Sequence, residues 1–183
     1  MSFNSLPAGF AVFILLLAAP AAHGGVTVYL QLDGVDGDVT TQNYQGQIQV
    51  LEWNWSLSRA GDGGTSRTKT SSGTVSVRDL GVTMFNSKAT PKLIEGVTTA
   101  KVYPRAVLSL VNPATGVRVE QLELTNVGIT SVETGVSAGA ERPVSTVMLS
   151  FTRFVYTYNE VGSDGSIKGS VQTQYDIAAG TTN

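Results

Sequence analysis

The sequence predicts a mainly β protein, an antiparallel barrel or sandwich of about eight strands with one short helix. Three observations predict it. From residue 26 onward apolar residues recur at every second position in most stretches, the period of a half-buried strand and not the 3.6 of a helix. Clusters of Gly, Asn, Asp and Ser separate these runs at fairly even spacing, and a single stretch carries a helix-start pattern. Even strand spacing with one helix is the pattern of closed or double-layered antiparallel sheets.

In order along the chain, Val26, Val28, Leu30 and Leu32 alternate with Thr27, Tyr29 and Gln31, and Asp33 to Gly37 breaks the strand. A second strand is expected from about Gln47 to Ser58. Its apolar phase changes from Ile48 and Val50 to Leu51, Trp53, Trp55 and Leu57, which predicts a β-bulge near Val50 and Leu51. The same slip recurs in the third strand, where Val75 and Val77 give way to Leu80, Val82 and Met84. Strands that bend in this way suit a closed or strongly curved sheet. Between these two lies Arg59 to Gly73, rich in Gly, Ser and Thr and without a large apolar residue, hence a long exposed loop.

The helix is expected at Thr90-Pro-Lys-Leu-Ile-Glu-Gly-Val97, with Thr90 as its cap and Pro91 in its first turn, where a proline's fixed φ is already helical. Further strands follow at Tyr103 to Val111, from Val117 through Leu124 to Val132, and from Val144 to Tyr158. They are separated by a turn at Asn112 to Gly116 and a second Gly/Ser-rich loop from Glu133 to Arg142. Val171, Thr173, Tyr175 and Ile177 mark the last strand.

Composition limits the chemistry. A chain of 183 residues fits one domain of ordinary size. With 14% charged residues and a net charge of -2, it has no field strong enough to hold a nucleic-acid backbone, and no nucleic-acid partner is expected. The absence of Cys removes disulfides, thiolate nucleophiles and Cys-based metal sites. The single His, His23, lies in the segment expected to be cut off, so His-dependent triads and two-histidine metal sites are unavailable to the remainder. No enzyme, cofactor or metal is expected.

Residues 1–25 differ in kind from the rest. They hold no Lys, Arg, Asp or Glu. The apolar run Phe10 to Ala19 has the length of a signal-peptide core, and small residues follow it at Ala19, Pro20, Ala21, Ala22, Gly24 and Gly25. A cleaved secretory signal over 1–25 is therefore expected, with the cut after Ala21 or Gly24 left open, and a mature domain over 26–183. A stable membrane anchor is not expected, since a span wants about 20 apolar residues and this run is bounded by Pro7, Gly9 and Pro20. A cytosolic protein starting near Val26 is the remaining alternative.

Three clusters look suggestive and have plainer readings. Asp33, Asp36 and Asp38 with Gly34 and Gly37 offer oxygen ligands on a turn but lack the spacing of a calcium loop; a turn with solvated carboxylates is expected. Trp53 and Trp55 would form a stacking platform, yet Leu51 and Leu57 share their strand parity, so core packing is favoured. Glu120, Glu123 and Glu133 are the carboxylates a glycosidase reading would use. Tyr103-Pro104 is read as strand initiation.

The ordered motifs Tyr29-Leu-Gln-Leu-Asp-Gly-Val-Asp-Gly37, Ile48-Gln-Val-Leu-Glu-Trp-Asn-Trp55, Val75-Ser-Val-Arg-Asp-Leu80, Ala89-Thr-Pro-Lys-Leu93, Lys101-Val-Tyr-Pro-Arg-Ala-Val-Leu108 and Val147-Met-Leu-Ser-Phe-Thr-Arg-Phe-Val-Tyr-Thr-Tyr158 resemble those of the Hcp (haemolysin-coregulated protein) family of type VI secretion. The chain departs from the family pattern at Gly37-Asp-Val39, where Gly-Glu-Ser is common, and at Tyr44, where a His is common. The resemblance implies a β-barrel subunit that assembles with itself into hexameric rings, stacked into a hollow tube. It also implies that the loop bearing Arg59, Asp62, Arg67 and Lys69 contacts a neighbouring ring. A leader on such a chain implies a secreted, periplasmic or extracellular protein, alternatively one that carries a small secreted passenger; without the leader, a cytoplasmic protein exported by a type VI apparatus is expected.

Overall fold

The structure is a computed structural model that describes residues 25–59 and 75–182. Its elements are β1 (Thr27–Leu32), β2 (Ile48–Asn54), β3 (Leu57–Arg59), β4 (Val75–Val77), β5 (Leu80–Phe85), α1 (Thr90–Thr98), β6 (Val102–Val111), β7 (Arg118–Gly135), β8 (Val144–Ser150), β9 (Arg153–Val161) and β10 (Ile167–Asp176). Three of the expected strands are each divided in two. β2 and β3, β4 and β5, and β8 and β9 are separated by two residues apiece.

All ladders are antiparallel, and β7 organises them. At 18 residues it is long enough to hold two successive partners on one edge. Its residues 120–125 pair with β9 and its residues 128–135 with β8, while β6 runs along the opposite edge. The order β7-β6-β1-β2-β5-β8 then returns to β7, which closes a six-stranded barrel. Strands β9 and β10 continue outward from the first half of β7. The bend between the two halves falls at Asn126, whose φ is +52°, a left-handed conformation that Asn tolerates better than most residues. Its side chain donates to Thr152 Oγ1 at 3.2 Å, in the gap between β8 and β9.

Even-numbered residues of β1 and β6 face inward, so Leu30, Leu32, Ala106 and Leu108 meet Leu122, Leu124, Val147 and Leu149 in one core. The expected bulge in β2 is present, with the register to β5 shifting between Val50 and Glu52. Its consequence differs from the expected one. Leu51 and Leu57 are 45% and 44% exposed, while Trp53 and Trp55 are half-buried against the core. The bulge turns Leu51 outward, and Leu57 belongs to the separate β3–β4 ribbon; strand parity does not survive either interruption.

The start of α1 also corrects the expectation. Ala89 occupies the cap position in helical conformation with no side-chain cap, because the chain enters already turning: the Thr90 N–H donates to Ser87 O at 3.0 Å. Thr90 is buried, and its Oγ1 accepts the Ser87 N–H at 3.1 Å. Pro91 stands in the first turn as expected. The helix docks through Leu93 and Gly96. A Cβ on Gly96 would lie 2.6 Å from Tyr103 Oη and 2.8 Å from Ile129 Cδ1, so close packing of helix on barrel requires glycine there.

Candidate functional site

The loop expected to touch a neighbouring ring springs from the β3–β4 ribbon. Leu57 pairs with Val77, Ser58 with Ser76 and Arg59 with Val75, which holds the two ends of the loop side by side. The ribbon is tied to the barrel where the Arg78 N–H donates to Ser56 O at 3.1 Å and Trp55 Nε1 donates to Arg78 O at 3.0 Å. Arg59 is exposed at the end of β3. Asp62, Arg67 and Lys69 lie outside the described residues.

Beside the ribbon is a groove of about 410 Å³. Leu57 and Val75 form one wall; Phe154, Tyr156 and Tyr175 form the other, with Trp55 at the junction. The aromatic rings hold one another edge to face. Trp55 and Phe154 are 4.7 Å apart at 76°, and Phe151 and Phe154 are 6.5 Å apart at 89°, geometries that favour positive ring edges against negative faces. Trp55 is therefore a packed ring with its N–H satisfied, and Trp53 packs on the core without entering this cluster.

The carboxylates singled out from the sequence are kept apart by strand geometry. Glu120 lies on the core-side face of β7 and accepts the Tyr156 hydroxyl at 2.6 Å. Desolvation, then this hydrogen bond, pushes the Tyr156 phenol up to about 12. Glu123 is on the opposite face, where Arg105 Nε and Nη2 donate to its two oxygens at 2.9 and 2.8 Å. That hydrogen-bonded pairing with Arg105 holds the Glu123 carboxyl below its usual range. Glu133 is exposed ten residues further along β7, beyond the bend at Asn126. A glycosidase needs two carboxyls within about 10 Å across one bond, which this arrangement does not provide.

The acidic turn is fixed by its backbone. The Asp33 N–H donates to Arg105 O, the Val35 N–H to Leu32 O and the Gly37 N–H to Gly46 O, while Val35 is buried. Tyr44 lies on Tyr29 with ring centroids 4.6 Å apart, which makes a small second core outside the barrel. Among the described residues no group of three or more His, Cys, Asp or Glu could hold a metal ion, and no helix is long and apolar enough to cross a membrane.

One surface escaped the sequence reading. Tyr158, Ile167 and Val171 are 46%, 52% and 73% exposed on β9 and β10. The alternation at Phe154, Tyr156 and Tyr158 correctly marks a strand with one apolar face; what it does not encode is that the barrel closes at β8, so that no other described strand lies over the far end of that face.

Residues 29–158 match the family described as type VI secretion system effector, Hcp. Protein hcp1 of Pseudomonas aeruginosa is 31% identical over 146 residues, 79% of this chain and 90% of the relative. Among solved structures, a type six secretion system protein superposes with a TM-score of 0.82 at 20% identity, covering 87% of this chain and 100% of the other. Hcp1 from Salmonella typhimurium gives 0.71 at 24% identity, covering 87% and 99%. At those identities the superpositions establish the shared barrel fold, and the family match spans the β domain from β1 into β9. The chain belongs to the Hcp family of type VI secretion.

Proposed function

We propose that residues 26–183 form a non-catalytic structural subunit that self-assembles into hexameric rings, which stack into a tube. The observation that carries this reading is the family match over residues 29–158. The chemistry agrees: from residue 26 onward the chain has neither His nor Cys, and Glu120 and Glu123 are engaged on opposite faces of β7. Negative-stain imaging of the purified domain, with mass measurement of the particles, tests the reading. Six-fold rings of six chain masses are expected. A monomer at every concentration up to the millimolar range would overturn it.

In this reading Arg59, Asp62, Arg67 and Lys69 serve ring-on-ring contact. Three cations against one anion on a polar loop support a salt-sensitive contact in which each ion pair is worth about 0–1 kcal/mol. The charge-free apolar run over residues 1–25 supports a further reading, that it is a cleaved leader and the domain is exported before it assembles. Intact-mass analysis of protein recovered outside the cytoplasm would then give a new N-terminus between about His23 and Val26, whereas recovery of full-length cytosolic protein alone would refute export. An exported ring of this kind is also suited to carrying a small secreted passenger, which co-purification with the mature ring would reveal.

A further inference from the structure

Asp-Gly pairs occur at Asp33-Gly34, Asp36-Gly37, Asp62-Gly63 and Asp164-Gly165, and Asp62-Gly63 lies outside the described residues. Glycine has no Cβ to crowd its own nitrogen and turns freely about its backbone, so an aspartate carboxyl and the amide that follows it close a five-membered ring most readily there. The structure treats the three described pairs differently. At Asp36-Gly37 the Gly37 N–H donates to Gly46 O at 2.7 Å, and Gly37 is buried against the backbone of Gln47 and Ile48. At Asp164-Gly165 the Gly165 N–H donates to Gly162 O at 2.9 Å. The Asp164 carboxylate is also taken: Oδ2 accepts from Lys168 Nζ at 2.8 Å, and Oδ1 from the Ser166 N–H and hydroxyl at 3.1 and 2.8 Å. The Lys168 bond first, then those from Ser166, bring its pKa down to about 2, which leaves little of the neutral acid at pH 7. At Asp33-Gly34 these restraints are missing. Among the described residues no acceptor takes the Gly34 N–H, Gly34 is exposed, and nothing lies within 4 Å of the position its Cβ would fill.

We propose that Asp33 is a site of spontaneous covalent modification, at which the folded chain isomerises to isoaspartate with water as the only co-reactant. The Gly34 nitrogen attacks Asp33 Cγ, an N–Cγ bond forms, and the carboxyl OH leaves with the amide hydrogen as water. Water then adds to the backbone carbonyl of Asp33 and breaks its bond to the Gly34 nitrogen, so the chain runs on through Cγ and no atom is gained or lost. The turn leaves its middle peptide free for this step. Its own bond joins the flanking residues, Val35 N–H to Leu32 O at 2.9 Å, and Gly34 at φ +82° makes it a type II turn. The Asp33 N–H is fixed to Arg105 O at 3.1 Å, which anchors the aspartate while its peptide to Gly34 turns. A polar hollow of about 370 Å³ lies against the turn, with Asp33, Gly34, Asn43 and Gln45 in its lining, and admits the water. The product carries one more backbone carbon between Leu32 and Val35. Val35 is 4% exposed in the core, so the lengthened turn cannot keep both that anchor and the bond to Leu32. The inference stands apart from the ring reading, since each step lies within one chain.

The test holds the purified full chain at pH 7.4 and 37 °C, folded in dilute solution and, in parallel, unfolded in urea. Isoaspartate at each position is counted over time by peptide mapping with electron-transfer fragmentation, whose backbone ions tell Asp33 from Asp36. In the unfolded chain Asp33, Asp36 and Asp164 should isomerise within about three-fold of one another, since each precedes a glycine. In the folded chain Asp33 should outpace the other two by about ten-fold or more, because giving up the amide hydrogen bond of Gly37 or Gly165 is alone worth about five-fold in rate. Asp33→Glu, which would need a six-membered ring, should show no isomerisation at position 33, and should that variant fail to fold, the comparison within the parent decides alone. Folded protein in which Asp36 or Asp164 isomerises as fast as Asp33 would overturn the assignment. So would a folded chain in which Asp33 is slowed as strongly as they are against the urea-unfolded chain.

Discussion

Replacing Gly37 by Ala tests the strap that covers the outer face of β1. Residues 37–39 and 46–47 are stitched by three backbone bonds: Gly37 N–H to Gly46 O at 2.7 Å, Gly46 N–H to Val39 O at 2.8 Å and Val39 N–H to Gln47 O at 3.1 Å. A Cβ on Gly37 would lie 2.2 Å from Gln47 O, 2.5 Å from Gln47 C and 2.7 Å from Ile48 Cα. All three obstacles are backbone atoms, so no side chain can rotate out of the way. The strap must instead separate by about an ångström, and Ile48, the first residue of β2, is buried in the core and resists that movement.

Loss of one backbone bond costs about 1 kcal/mol and overpacking about 1–3 kcal/mol more. Gly37→Ala should therefore lose about 2–4 kcal/mol, a fall in Tm of about 5–15 °C for a chain of this size. The measurement is equilibrium urea unfolding of dilute protein, where assembly adds nothing to apparent stability. Gly34→Ala is the control. Gly34 has φ +82° with nothing within 4 Å of its added Cβ, so only left-handed strain of about 1 kcal/mol is expected. If the two variants are equally stable, or Gly37→Ala lies within about 0.5 kcal/mol of the parent, the steric reasoning is wrong.

Trp55→Ala should cost about 3 kcal/mol, the low end for a large aromatic because the ring is half-buried, and should weaken the near-UV circular dichroism from the Phe151 and Phe154 cluster; a loss under about 1 kcal/mol in urea unfolding would refute that packing. Pairing with Arg105 holds the Glu123 carboxyl below the usual carboxylate range in the fold, so the pairing stabilises above that range and is lost as pH falls through the lowered folded value. Arg105→Gln should flatten this acid limb of an unfolding series and cost no more than about 1 kcal/mol at pH 7. Tyr156, raised from 10.0 to about 12, favours the neutral phenol in the fold, so its contribution is full below about pH 10 and lost between there and about 12; Tyr156→Phe should remove that alkaline loss. Deleting Gly61 to Ser72 with a short Gly/Ser bridge should leave the domain folded and rings intact while abolishing salt-sensitive ring stacking, read by light scattering at low and high salt; a deletion that stacks like the parent would refute the assignment of that loop.

Alternation made most strands legible, and the phase change at Val50 and Leu51 located the bulge because a two-residue period has no other way to change face. The same local signal could not say which side Leu51, Trp53, Trp55 and Leu57 would present. That depends on a bulge and a break whose outcome is fixed by the partner strands β5 and β4. The helix start was misread for a related reason. Thr90 has the chemistry of a cap, but Ser87 upstream lets the chain begin turning early and draws the Thr90 side chain back to its own N–H. The exposed end of β9 and β10 was illegible because exposure at Tyr158 and Val171 is a property of closure, and closure rests on β8 meeting the second half of β7. No window of sequence short enough to show periodicity contains both.

That closure bears on how such a chain avoids indiscriminate association. A sheet rolled so that β8 returns to β7 has no edge within the barrel, and edges are where unrelated strands add. In the described eight-stranded sheet one terminal strand remains, β10, and it joins an apolar face on one side to a polar face on the other. Substitution at Val171 should therefore leave the core of the barrel, which that exposed side chain does not help to fill, at the parent's stability.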